Sequence, residues 1–289
     1  MVADSPVPHS GAPQPKTVVA PRHVNSLKTR MANLAGSQLA TSRLARAVAN
    51  VVLAQMLPGG VVKGGTALKL RLGHGRSRFT PDLDFARRTT MDVFLADYAA
   101  ALAEGWGGFT GRLAPVKPAK PVGVPTDYVM LPFDIKVSYQ GRSWLTVRLE
   151  VGHDEIGDTD DPELHLAEDL ATVFAVLGLP EPAPVAVLAV DHQIAQKLHA
   201  CSAPGSERAH DLVDLQLLVA NGLDLTKTRA TCVRLFRSRG AHSWPPVVQV
   251  GRGWDTVYAQ AASEVECIQS VDEAVAWVNA LVDRIEGNA

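Results

Sequence analysis

Cysteine is scarce: Cys201, Cys232 and Cys267 are scattered along 289 residues, with no CxxC pair and no clustered histidines. A disulfide framework and a structural zinc site are thereby excluded. Long apolar runs are missing too. None reaches the roughly 18 to 20 residues that span a bilayer, and the opening MVADSPVPHSGAPQPK has no apolar signal core, so the chain reads as cytoplasmic. Nor is there an excess of charge of one sign: the formal net charge is −2, and any contact with nucleic acid must come from a local basic patch. GxxxxGK[ST], HExxH, GxSxG and a strand-framed GxGxxG are all absent, which removes P-loop, zincin, hydrolase and dinucleotide-binding readings.

What remains is the composition of an ordinary globular protein, 46% hydrophobic and 20% charged, long enough for two modest domains. Residues 1–20 are rich in Pro, Ser, Gly and Ala and cannot offset their ordering entropy by burial, so they are expected to form a disordered arm. Leu27, Met31, Leu34, Leu39, Leu44, Val48 and Val52 recur at helical steps, predicting two helices with a break near Gly36. Val61 to Lys63 reads as a short strand and Thr66 to Leu72 as a short helix, with Leu68 and Leu72 on its apolar face and Lys69 and Arg71 off it. Residues 73–81 read as loop and Asp82 to Phe85 as strand. Met91 to Leu102 is an amphipathic helix, and Tyr128–Tyr139 and Ser143–Val151 form a hairpin around Gln140-Gly141-Arg142. Residues 153–169 read as an acidic loop; Val185–Ala200, Ala209–Ala220 and Val271–Ile285 then read as helices. The expected architecture is a two-lobed α+β fold, with a mixed-sheet core over 21–155 and a mainly helical lobe over 156–289.

The chemistry concentrates in Lys63 to Phe85, KGGTALKLRLGHGRSRFTPDLDF. Period-2 alternation points Asp82 and Asp84 to one strand face, two hard oxygen donors for Mg²⁺, and Glu150, on a strand face of its own, is a candidate third. Gly64 and Gly65 let backbone approach phosphate oxygens at a helix N-terminus, and Thr66 adds a hydroxyl. Taken singly, Gly-Gly-Thr is also an ordinary turn and Asp-Leu-Asp a solvated strand edge; their joint occurrence after a short apolar strand favours a site for a metal-bound nucleoside triphosphate. Lys63, Lys69, Arg71, Arg76, Arg78, Arg87 and Arg88 crowd the same stretch, and Arg229, Arg234, Arg237 and Arg239 form a second basic set. Such runs are usually solvated faces, yet two of them flanking one site suit a phosphate-rich acceptor such as RNA, with Lys69, Arg71, Arg76 and Arg78 as its contacts. His153, His192, His199 and Trp254 are read as core or surface residues.

KGGTALKLRLG…RFTPDLDF resembles the AbiEii family of nucleotidyltransferase toxins, within the DNA polymerase β-like nucleotidyltransferase superfamily that also holds MenT-like tRNA nucleotidyltransferase toxins. Lys197 in HQIAQKLHA is similar to that family's helix lysine, and Arg208, Asp211 and Asp214 in RAHDLVDL to its Arg-x-x-Asp-x-x-Asp motif, with His210 where a Lys or Arg is usual. The resemblance implies Asp82, Asp84, Lys197 and Asp211 as catalytic residues, and nucleotide contacts from Lys63, Gly64, Gly65, Thr66 and Lys197. It also implies Mg²⁺, held by Asp82, Asp84 and Glu150. Asp211 is expected to sit beside Lys197, and Asp214 to be structural. The implied function is a toxin with a cognate antitoxin, transferring a pyrimidine nucleotide from a nucleoside triphosphate to RNA, foremost the 3′ end of tRNA, and so blocking translation. Transfer to a protein side chain, or a nucleotide-binding regulatory module without turnover, are the alternatives.

Overall fold

The computed structural model describes residues 18–117, 130–220 and 222–287. The expected arm lies outside them except for residues 18–20, as do Tyr128 and Val129 of the expected hairpin. Helix α1 (Val24–Ala35) stops at Gly36, whose φ of 76° is left-handed, and α2 (Gln38–Gln55) starts at once because the Ser37 side chain accepts from the Ala40 amide. Every residue of α2 from Ala47 to Ala54 is buried. Strand β1 (Gly60–Lys63) then leads directly into α3 (Gly64–Leu72), and a loop returns the chain to β2 (Asp82–Arg87).

Helix α4 (Met91–Glu104) lays Phe94, Tyr98 and Leu102 on the sheet, with the Phe94 ring 5.3 Å from that of Phe85. Each such buried aromatic contributes about 1.5–3 kcal/mol by area. Strands β3 (Phe109–Pro115), β4 (Leu131–Tyr139) and β5 (Arg142–His153) follow as an antiparallel meander. Then come β6 (Glu163–His165), α5 (Glu168–Leu177) and β7 (Val185–Val187). Among the described residues these strands form one mixed sheet in the order β3-β4-β5-β2-β1-β7-β6. Its centre pairs β2 parallel to β5 and antiparallel to β1. That register sets Asp84 beside Glu150 and Asp82 beside Arg148.

Helices α6 (Val190–Ser202), α7 (His210–Val219), α8 (Leu225–Arg239), α9 (Trp254–Ala262) and α10 (Val271–Glu286) enclose a second core around Leu212, Leu215, Phe236 and Trp254. The fold is thus α+β and two-lobed, as expected.

Several local expectations change. Val185–Ala200 is a three-residue strand followed by a helix: the apolar Val185–Val187 completes a sheet pairing that helical periodicity cannot reveal. The acidic loop 153–169 contains β6 and the start of α5, so two strands of the sheet come from beyond residue 155. Strict alternation along β5 would set Trp144 on the face of Arg148 and Glu150, but it has no partner between Ser143↔Ser138 and Leu145↔Val137. That bulge shifts the alternation and turns Trp144 into the core, 5.2 Å from the Phe109 ring. Finally, α3 has no solvent face for Lys69. Ala67 and Leu70 belong to the sheet's core and Leu68 and Leu72 to the helical one, so the helix is a wedge between them. None of the helices among the described residues is long and apolar enough to cross a membrane.

Candidate active site

A cleft of about 480 Å³ opens between the sheet and the helical half, within the range of small-molecule sites. Asp82, Asp84 and Glu150 line it from β2 and β5; Lys197, Arg208 and Arg239 line it from α6, from just before α7, and from the last turn of α8. Lys63, Gly64 and Gly65 line it where β1 becomes α3.

Both glycines leave space that a Cβ would take from a neighbouring side chain. Gly64 has a φ of +60°, and a Cβ there would lie 1.9 Å from Asp84 Oδ2. At Gly65 a Cβ would meet the Thr80 side chain at 2.8 Å. The backbone therefore lies directly against the Asp84 carboxylate, an approach no larger residue permits.

The carboxylate wall carries uncompensated charge. Burial, then the neighbouring charges of Glu150 and Asp82, push the Asp84 carboxyl up to about 6. Glu150 is raised by burial and by Asp82; Asp82 is raised by burial, with Arg148 and Arg46 opposing the shift. Among the described residues, no three His, Cys, Asp or Glu side chains converge closely enough to define a metal-ligand set. The donors nonetheless suit a hard divalent cation: they are all carboxylate oxygens, they face one cleft, and their mutual repulsion is what such an ion relieves.

Opposite stands a chain of ion pairs. Lys197 Nζ donates to Asp211 Oδ1 at 2.8 Å and to Asp214 Oδ2 at 2.6 Å. Arg208 Nε donates to Asp211 Oδ2 at 2.9 Å. Arg78 grips Asp214 with two donors, Nε to Oδ1 at 2.9 Å and Nη2 to Oδ2 at 2.8 Å. Both aspartates are fully buried. The Lys197 and Arg208 charges hold the Asp211 carboxyl far below the usual range against its burial, and Lys197 and Arg78 do the same for Asp214. Those carboxylates keep Lys197 protonated although it is only 6% exposed. The Arg208 side chain is 53% exposed, so solvent screens its pair more than the others.

Four expected contacts are engaged by partners within the protein. The Thr66 hydroxyl, expected at phosphate, is buried; it donates to the Asp82 carbonyl at 2.8 Å and accepts from Asn50 Nδ2 at 3.0 Å, tying α3 to β2. Lys69, expected at RNA, is buried in the α3 wedge and donates to the Ser77 hydroxyl at 3.0 Å; burial pushes its pKa down to about 8. Arg71 pairs with Glu163 and donates to the Leu188 carbonyl. Arg78 is engaged by Asp214. Of that basic stretch Arg76 is exposed, with its Nε donating to the Leu72 carbonyl. Asp214, expected to be only structural, shares Lys197 with Asp211.

Arg239 also acquires a place the sequence left open: it lines the cleft while holding Glu155 through two donors at 2.7 Å. Its partner is 84 residues away, and that of Arg78 is 136, so no local pattern marks either pair. Arg208, by contrast, is legible from Arg-x-x-Asp-x-x-Asp, whose two aspartates share one face of α7 with Arg208 three residues before the first. His210 lines the cleft, but burial pushes its pKa down to about 4, so it is neutral at pH 7 and adds no cation where the family motif has one. His192, His199 and Trp254 are buried, the last donating to the Ser206 carbonyl.

The family model described as nucleotidyl transferase AbiEii toxin, type IV toxin–antitoxin system, matches residues 44–273. MenT4, a nucleotidyltransferase toxin from Mycobacterium tuberculosis H37Rv, superposes with a TM-score of 0.48 at 17% identity, covering 89% of this chain and 97% of its own. A protein of H. pylori provisionally described as a nucleotidyltransferase superposes at 0.45 and 17%, covering 86% and 95%. No curated protein matches the sequence significantly. With the family model spanning both walls of the cleft, the chain belongs to the AbiEii family of nucleotidyltransferase toxins.

Proposed function

We propose that this cleft transfers a nucleotidyl group, foremost from a pyrimidine nucleoside triphosphate, to the 3′ end of tRNA, and that the product is blocked for translation. The observation that carries this reading is the polarity of the cleft: a carboxylate wall, Asp82, Asp84 and Glu150, faces a cationic one, Lys197 and Arg208. A triphosphate with its counter-cation is the ligand class that satisfies both at once.

Asp82, Asp84 and Glu150 would hold Mg²⁺. Bound there, the ion neutralises charge on the phosphates as the acceptor approaches. The chain's own groups do the rest. Gly64 and Gly65 present backbone N–H groups at the start of α3 without a Cβ in the way. Lys63 adds a flexible cation beside them. Lys197, with two of its three N–H donors on Asp211 and Asp214, keeps one for a phosphate oxygen. Asp211 orients that ammonium and offsets its burial. The acceptor hydroxyl gives its proton to a carboxylate of the Asp82–Asp84–Glu150 wall, its oxygen bonds to the α-phosphorus, and the bond from that phosphorus to the β-bridging oxygen breaks to release pyrophosphate.

The family is described as the toxin of a type IV system, which supports a cognate antitoxin as a further partner. Incubation with each α-labelled nucleoside triphosphate, total tRNA and Mg²⁺ tests the reading. Label in tRNA is expected, lost with Asp84→Ala or Lys197→Ala. Label in protein instead would move the acceptor to a side chain, and binding without incorporation would leave a regulatory module.

A further inference from the structure

We propose that Arg78 is a positioning residue: it holds Lys197 in register with the triphosphate by occupying Asp214, and so clasps the two halves of the molecule across the cleft. The inference rests on the reading of Lys197 as a phosphate contact.

Arg78 belongs to the loop between α3 and β2, and Asp214 to α7 in the helical half. The guanidinium lines the cleft but offers it little. Nε and Nη2 are held by Asp214, Nη1 donates to the Phe79 carbonyl at 3.3 Å, and the side chain is 15% exposed. With three of its five N–H donors engaged inside the protein, two of them on Asp214, it acts on the cleft through its partner. Asp214 Oδ1 accepts from Arg78, while Oδ2 is shared between Arg78 Nη2 and Lys197 Nζ.

Two consequences follow from elementary electrostatics. First, Lys197 stands between two buried carboxylates and is centred only while each has a second cation: Arg208 for Asp211 and Arg78 for Asp214. Without Arg78, Asp214 has Lys197 as its sole cation in the cluster and draws the ammonium toward itself. Second, the cluster holds three cations, Arg78, Lys197 and Arg208, against two carboxylates, Asp211 and Asp214. That leaves one positive charge in surplus beside the cleft. Losing Arg78 cancels it, which leaves Asp214 undercompensated and deepens its pull on the Lys197 ammonium.

The test uses the full chain with Arg78→Gln, Arg78→Lys, Lys197→Ala and the Arg78→Gln/Lys197→Ala double variant. Affinity for labelled CTP and UTP is read with Mg²⁺, KM for nucleotide and for tRNA separately, and melting temperature alongside. Arg78→Gln is expected to weaken nucleotide affinity about 10- to 100-fold, the range for loss of an orienting partner, with the KM for tRNA unchanged. Arg78→Lys restores the charge but not the two-donor grip and recovers part of the loss. In the Lys197→Ala background, Arg78→Gln should add nothing further. The proposal is overturned if Arg78→Gln binds nucleotide within about twofold of wild type while Lys197→Ala does not. It is equally overturned if the two losses add, or if Arg78→Gln lowers only the folded fraction and leaves the nucleotide KM intact. Should Lys197→Ala itself bind and incorporate normally, the functional reading falls first and this inference with it.

Discussion

Replacing Gly64 by alanine separates catalysis from folding more cleanly than replacing any charged residue in the cleft. The added Cβ would sit 1.9 Å from Asp84 Oδ2 and 2.9 Å from its Cγ, whereas unstrained contacts are about 3.5–4 Å. The carboxylate must therefore retreat by roughly 1.5 Å or swing away. It is the free end of a side chain and can do so, which spares the sheet. The residual folding cost is that of an L-residue at a φ of +60°, about 1–2 kcal/mol. For a chain of this size that lowers the melting temperature by about 2–8 °C. Activity should suffer far more, because a misplacement of about 1 Å in a reacting array costs on the order of 100-fold. Thermal melting and labelled-nucleotide incorporation, both on the purified full chain, measure the two effects side by side. A variant that melts a few degrees low and incorporates within about threefold of wild type would show that Asp84 is not where the chemistry happens.

Three further outcomes are expected. The Asp84 carboxyl, raised to about 6 by burial and by Glu150 and Asp82, with Lys63 and Arg208 opposing, takes up a proton as pH falls through that value. Mg²⁺ affinity should weaken below about pH 6, and added Mg²⁺ should move the acid limb of the rate profile downward; a limb indifferent to Mg²⁺ would refute the assignment. The same shift has a stability sign. A raised carboxyl contributes stability below its unfolded value that is lost as pH rises through about 6, so Asp84→Asn should melt higher than wild type near pH 8 and converge with it near pH 4. Thr66→Val removes a buried hydroxyl that bonds both the Asp82 carbonyl and Asn50, at about 1–3 kcal/mol, and should depress melting more than turnover. Unchanged melting with collapsed incorporation would instead place that hydroxyl at phosphate.

The short-range signals were legible because their causes are short-range. Gly36 followed by Ser37 stops one helix and starts the next through backbone conformation and a hydrogen bond three residues on. Alternation along Asp82–Phe85 sets both aspartates on one face because the strand period is two. The basic interval after Gly65 was less informative, since charge in a sequence does not specify whether its partner is solvent or a carboxylate elsewhere in the chain. Lys69 met Ser77, Arg71 met Glu163 and Arg78 met Asp214, leaving little of that interval for an acceptor. Likewise, a three-residue strand such as Val185–Val187 exists only because β1 and β6 are there to pair with it.

By itself the sequence determined the elements around Lys63 to Phe85, the glycines that let backbone reach the aspartate, and the two motifs that mark opposite walls of one cleft. Only the tertiary structure decided which cations face the cleft and which are engaged in holding it together. Local propensity and periodicity act over a few residues. The pairing of a buried charge is decided by desolvation and by whichever opposite charge the fold brings within about 3 Å, here across 136 residues between Arg78 and Asp214.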